Sequence, residues 1–244
     1  MQRAQWGSVR HDILYGVEVG QQNKDLVNYS ANAVATVNLF NPVLPTLPLQ
    51  IPGNPGTSNL GRFNTLGLYV QDMVSLGDHW KVLGGVRHDR FEQKTEDRRN
   101  GTDLARTDSN WSPRLGLVFQ PDTVQSYYVS WSQSYQPSGE AFSLAANNAD
   151  LAPEKTTNYE VGAKYDFLDG KLSTTVSVFR LERTDIKVTN PVTNTLVPVG
   201  TQRTDGAEWT LSGDLSNGCR AMLGYAYLDA VSYTHLRAHE TRED

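Results

Sequence analysis

The sequence predicts an all-β protein, an antiparallel outer-membrane β-barrel, and three observations lead there. Apolar and polar residues alternate with a period of two along most of the chain. Tight turns and long loops take turns in joining those segments, so every long loop falls on one side. Aromatic residues gather near segment ends, where an amphipathic ring suits a membrane surface.

Nine strands are expected, and no helix. The first, near 11–20, places Ile13, Tyr15, Val17 and Val19 on one face; after a long loop over 21–61, the second, near 64–75, does the same with Leu66, Leu68 and Val70. The tight turn Gly77-Asp78 leads to a third near 79–91, a long loop over 92–110 to a fourth near 111–120, and Pro121-Asp122 to a fifth near 125–134. Beyond a loop at 135–155 comes the clearest strand, 156–167, in which Tyr159, Val161, Ala163, Tyr165 and Phe167 alternate with Asn158, Glu160, Gly162, Lys164 and Asp166. The turn Leu168-Asp169-Gly170, a loop near 184–197 and the turn Ser216-Asn217-Gly218 then separate strands near 171–183, 198–213 and 219–230.

One segment breaks its own parity. Leu172, Thr174, Val176 and Val178 set one face and Phe179 and Leu181 the other, which predicts a bulge or departure from the membrane near Phe179. Elsewhere the apolar parity should face lipid, which cannot solvate polar groups, and the polar parity a wet lumen. Trp80, Trp111, Trp131, Tyr127, Phe119, Phe167, Trp209, Tyr225 and Tyr227 are expected in the interfacial girdles. An odd set of nine strands leaves open edges in lipid, so the sequence is expected to be part of a larger barrel.

Composition narrows the function. A membrane helix needs about 20 mainly apolar residues, and Gly, Ser or charge interrupts every apolar run sooner. Met1 to Arg10 lacks the pattern of a secretion signal, so either a signal has been removed or the chain begins in mid-protein. The single cysteine, Cys219, allows no internal disulfide and reads as a small buried or wall residue. With net charge −5 and interleaved signs, no basic stripe exists for nucleic acid.

Several blocks resemble the TonB-dependent ferric-siderophore receptors. Leu66-Gly67-Leu68-Tyr69-Val70-Gln71-Asp72 is similar to a barrel strand of that family and is followed by Gly85-Val86-Arg87-His88-Asp89. Next come Ser112-Pro113-Arg114-Leu115-Gly116-Leu117-Val118 and the serine-rich run from Tyr128 to Pro137, in which Tyr135 replaces a more usual Phe. Leu151-Ala152-Pro153-Glu154 with Asn158-Tyr159-Glu160-Val161-Gly162-Ala163-Lys164 is the most specific block, and Gly206-Ala207-Glu208 through Gly224-Tyr225-Ala226-Tyr227 closes the series. Asn38-Leu39-Phe40-Asn41-Pro42-Val43 resembles a loop of receptors for hydroxamate-type siderophores.

The resemblance implies a barrel of about 22 strands around an N-terminal plug, an outer-membrane location, and uptake of a ferric siderophore energised through TonB. Residues 1–230 correspond to part of that barrel, without plug or TonB-contacting box, so this stretch is not expected to transport by itself. Residues 231–244 abandon the alternation and are expected to be a non-family tail, an artefact of assembly. Passive porin or adhesin barrels share the strand pattern but not these blocks, and a secreted soluble β protein would carry polar outer faces.

No cofactor is implied, because iron would arrive already wrapped by its siderophore. His235 and His239 share a helical spacing but have no third ligand, so they read as tail residues rather than a metal site. His88-Asp89 is the nearest approach to catalytic chemistry and reads as a solvated strand end, not an enzyme site. Ligand capture asks for aromatic rings at a strand-to-loop junction, which nominates Trp131, Tyr135 and Phe142 as binding residues. Glu160, Lys164, Arg180 and Glu182 are expected to solvate the lumen or meet a plug.

Overall fold

A computed structural model describes residues 2–29, 38–42, 53–136, 144, 151–190, 196–216 and 218–234. Ten strands form one antiparallel sheet in strict chain order: β1 (Gln2–Trp6), β2 (Val9–Asn28), β3 (Thr57–Leu76), β4 (Trp80–Asp97), β5 (Thr102–Phe119), β6 (Gln125–Gln136), β7 (Glu154–Phe167), β8 (Leu172–Thr189), β9 (Leu196–Ser216) and β10 (Cys219–Thr234). The count exceeds the expected nine by β1, whose five residues offer only Ala4 and Trp6 as an apolar face and so carry almost no periodic signal.

Strands also outrun their expected ends. The stretch 92–110, expected as a long loop, is mostly β4 and β5 joined by a short turn at 98–101. These residues are polar on both faces because they project above the membrane, and alternation reports only the lipid-facing part. At the other end, Val231 to Thr234 continue β10 against Gly200 to Arg203, past the expected break at 231, while 235–244, with His235 and His239, lie outside the described residues.

Burial is inverted relative to a soluble sheet. Tyr15, Val17 and Val19 are 62%, 67% and 80% exposed, while Asp89, Gln93, Asp108 and Ser177 on the opposite parity are 8%, 1%, 6% and 7% exposed. The polar side is therefore concave and the apolar side convex, the arrangement lipid requires. At the tight-turn end a chain of rings runs across the convex face, from Trp80 to Phe119 (4.6 Å between centroids), Tyr127 (6.5 Å), Tyr165 (6.0 Å) and Phe167 (6.0 Å). At the upper rim, His88 lies 4.5 Å from Trp111.

The belt climbs across the hydrogen-bonded rows. One row reads Leu115, Trp131, Tyr159, Arg180, Asp205, apolar at β5 and ionic by β9. Another reads Val19, Leu66, Arg90, Ser109, apolar at β2 and polar by β4. A level membrane band can cut register rows this way only if the strands are tilted, as barrel closure demands.

Close-packed rings on the concave face explain several luminal glycines. Tyr69, Tyr128 and Phe179 lie directly opposite Gly16, Gly162 and Gly206. A Cβ at any of these glycines would stand 2.5 Å from the Cζ of its ring, so only glycine admits the ring flat against the wall. Phe179 thus needs no bulge: β7 and β8 pair without interruption from Leu172 to Thr184, and the register shifts fall later, between Arg183 and Lys187. The parity change marks a luminal aromatic seated over Gly206.

Candidate functional site

The concave face above the belt carries the polar chemistry. Opposite charges two residues apart on one strand share a face, so Arg87 and Asp89 meet: the guanidinium Nε donates to both carboxylate oxygens at 2.8 and 2.9 Å. Arg87 also donates to Glu18 on β2 at 2.9 Å and lies 5.9 Å over the Tyr69 ring, tying β2, β3 and β4 together. Arg106 and Asp108 repeat the motif on β5, with contacts of 2.7 to 2.9 Å and both side chains nearly buried. On the same face Phe63 and Phe91 stack at 6.2 Å. Arg106 and Asp108 escaped the sequence reading because 92–110 read as loop; their spacing was the available signal.

A second luminal patch spans β6 to β9. Tyr128 donates to Glu160 at 2.5 Å, and the Lys164 ammonium lies 5.5 Å from the Tyr128 ring. Beside them a cavity of about 290 Å³ is lined by Ser132, Ser134, Asn158, Glu160, Phe179 and Glu208. Among the described residues neither Glu160 nor Glu208 is ion-paired, so the patch presents two carboxylates with hydroxyl and amide groups to the lumen. Its chemistry suits a cationic or hydrogen-bond-donating partner.

The nominated residues separate. Tyr135, near the end of β6, is half-buried; burial pushes its phenol up to about 12, with the Asp89 and Asp108 carboxylates adding to the shift. Tyr135 shares the parity of Val129 and Trp131, but β6 pairs with β5 only as far as Ser132, and beyond that point the Tyr135 phenol is within electrostatic reach of the upper luminal cluster. Trp131, expected either in the girdle or as a binding residue at the same junction, is in the convex row between Leu115 and Tyr159, where the girdle lies, because it shares parity with Val129. Phe142 lies outside the described residues. Glu160 and Lys164 face the lumen as expected, but Arg180 and Glu182 belong to the convex parity, where Arg180 donates to Asp205 at 2.7 Å. His88 and Asp89 point to opposite faces, His88 against Ser109 at 2.8 Å and Asp89 against Arg87, so no catalytic pair forms.

Residues 2–243 match the family described as TonB dependent receptor-like, beta-barrel. The chain belongs to the TonB-dependent receptor β-barrel family. This receptor wall is thus an outer-membrane structure of a non-enzymatic family. It is 28% identical over 237 residues to the metal-pseudopaline receptor CntO of Pseudomonas aeruginosa, covering 92% of this chain and 32% of that protein. It is 29% identical over 230 residues to the ferrichrome outer membrane transporter/phage receptor of Escherichia coli K12, covering 92% and 30%. In fold it matches the ferric-catecholate import receptor Fiu of E. coli K12 in its closed form, with TM-score 0.79 and 23% identity, over 93% of this chain and 36% of that one. The chain spans about a third of the length of these curated relatives.

Proposed function

We propose that this wall belongs to a receptor that captures a ferric siderophore at the cell surface and passes it inward on energy delivered by TonB. The observation that carries the reading is the concave face: a hydrogen-bonding, ion-paired lumen inside an apolar belt, built on the sequence of this family. Transport against a gradient needs an external energy source because the outer membrane holds no ATP, which is the role assigned to TonB. The plug and the TonB-contacting segment would lie in the further length that the relatives possess.

Relatives named for ferrichrome and ferrioxamine B favour a hydroxamate ligand, as does the resemblance of Asn38 to Val43. Tyr135 is the ligand contact proposed here, and Phe142, outside the described residues, is proposed with it from the sequence alone; Trp131 serves the membrane rim. The test is uptake of radioactive iron by receptor-deficient cells that express the full-length receptor carrying this wall. Each of ferrichrome, ferrioxamine B and a catecholate chelate is supplied in turn, with and without TonB. TonB-dependent accumulation of a hydroxamate chelate supports the reading. Accumulation of none, or accumulation indifferent to TonB, refutes it.

A further inference from the structure

The convex face carries a carboxylate at the lower edge of its apolar belt. Asp72 on β3 shares the parity of Leu66, Leu68 and Val70, all exposed, and so faces lipid. Across the sheet it meets Ile13 and Gly84, and along its strand Val70 and Val74, so these neighbours are apolar or lack a side chain. The exception is His11, one row lower on β2, whose Nδ1 lies 2.6 Å from Asp72 Oδ2. Among the described residues no arginine or lysine pairs with Asp72; its Oδ1 has no hydrogen-bond partner, and 31% of the side chain is exposed. A carboxylate among apolar groups is costly unless further donors complete it.

The rings at the rim fix the height of this dyad. From Tyr127 they step down one register row to Tyr165 and a second to Phe167. Followed the other way, toward β2, the rim rises, and His11 and Asp72 stand one and two rows above the Leu76–Trp80 row. Short turns of an outer-membrane barrel face the periplasm, so the dyad lies at the headgroup level of the inner leaflet. Directly above it, a groove of about 370 Å³ has Tyr15, Val17, Leu68, Val70 and Val86 among its walls. Beside the carboxylate, a Cβ on Gly84 would meet nothing nearer than Leu115 Cδ2 at 3.9 Å, so the glycine leaves an open notch.

We infer that Asp72 and the notch over Gly84 seat the ammonium of an inner-leaflet phospholipid with an ethanolamine headgroup, one acyl chain lying in the groove over Val70 and Leu68. A primary ammonium brings three N–H donors and a full positive charge, which suits a carboxylate with accepting capacity to spare. His11, with Nδ1 as the donor, is a positioning residue that fixes the carboxyl. Trp6, exposed on the same face and 5.5 Å from the His11 ring, is an interfacial anchor at the lower side of the seat. A choline headgroup has no N–H to give and a glycerol headgroup has no cation, so the seat discriminates among phospholipids with identical acyl chains.

The experiment uses the full-length receptor carrying this wall, with bound lipid counted by native mass spectrometry. Equimolar phosphatidylethanolamine, phosphatidylcholine and phosphatidylglycerol of the same acyl composition are the probes, with free ethanolamine as competitor. The expected result is that wild type retains phosphatidylethanolamine about tenfold better than either other lipid. D72N abolishes that preference, and H11F lowers it to an intermediate value. G84V, whose side chain fills the notch without touching the carboxylate's hydrogen bond, abolishes it as well and stands in if D72N fails to fold. Equal retention of the three lipids by wild type overturns the proposal, as does an unchanged preference in D72N or in G84V. Displacement of the lipid by equimolar free ethanolamine also overturns it, because the seat would then be an amine site that ignores the acyl chain.

Discussion

Gly206→Ala puts the packing of the concave face to a quantitative test. The added Cβ would lie 2.5 Å from Cζ and 2.8 Å from Cε1 of Phe179, and 3.0 Å from Cδ2 of Leu228. Contact comes from β8 on one side and β10 on the other, so the ring has to leave its seat rather than slide. Overpacking of this kind costs about 1–3 kcal/mol, and the lower chain entropy of alanine in the unfolded state returns about 0.4–1 kcal/mol. The expected net loss is therefore about 1–2 kcal/mol. Urea unfolding of the receptor in lipid vesicles, followed by tryptophan fluorescence, measures it. In the background of Phe179→Ala only the 3.0 Å contact with Leu228 Cδ2, the far end of a flexible side chain, is left, so Gly206→Ala should then cost well under ~1 kcal/mol. A double-mutant cycle that is additive within about 0.5 kcal/mol would refute the seated-ring explanation.

Facing can be tested by placing one charge on each side of the wall: Val161→Arg, on the convex face, should destabilise by about 2 kcal/mol or more, while Ser130→Arg, beside luminal Glu160, should be nearly neutral, and equal costs in the same vesicle assay would contradict the assignment. Asp108→Ala removes the carboxylate to which the Arg106 Nε and Nη2 donate, and a loss of roughly 2 kcal/mol is expected, with a smaller loss for Asp108→Asn, which keeps an acceptor; similar losses would point to packing alone. In the tight turn between β5 and β6, Asp122 accepts from the Gln125 side chain at 2.7 Å and from the backbone of Val124 at 2.8 Å, which holds its carboxyl below the usual range. A depressed value means the contribution is complete above about pH 4 and disappears as pH falls through the lowered value. Asp122→Asn should therefore flatten the acid limb of the stability profile; an unchanged limb would show that other carboxylates set it.

The belt was legible in the sequence because lipid imposes a strict two-residue period, and every strand expected from that period is present. What lay beyond the lipid was not: β1 has too few apolar residues, and the upper parts of β4 and β5 are polar on both faces, so they read as loop. Within the site, Glu160 and Lys164 could be assigned to the lumen from parity alone. The same parity argument, applied strictly, also turns Trp131 and Arg180 outward; for Trp131 this agrees with its place in the expected girdle and not with the binding role, which rested on nearness to a loop, while for Arg180 the expectation rested on charge. Of the two causes expected for the parity change at Phe179, the bulge is absent, while the convex face does leave the apolar belt there, at Arg180 and Asp205; the seat over Gly206 on β9 is what parity alone did not show. Arg106 and Asp108 needed the strand to be recognised before their spacing meant anything.

The three luminal rings seated over glycine have a distribution of their own. They fall between β2 and β3, β6 and β7, and β8 and β9, the pairs joined through 29–56, 137–153 and 190–195. Where a tight turn joins neighbours, the turn itself sets the alignment. A long connection sets nothing, and a slip of two residues would leave every side chain on its proper face and so escape any penalty from lipid. Such a slip would instead place Tyr128 opposite Glu160 or Lys164 and leave Gly162 uncovered. Each ring and its glycine thus behave as a key and its lock, admitting one alignment at those seams where the chain's own connectivity leaves the choice open.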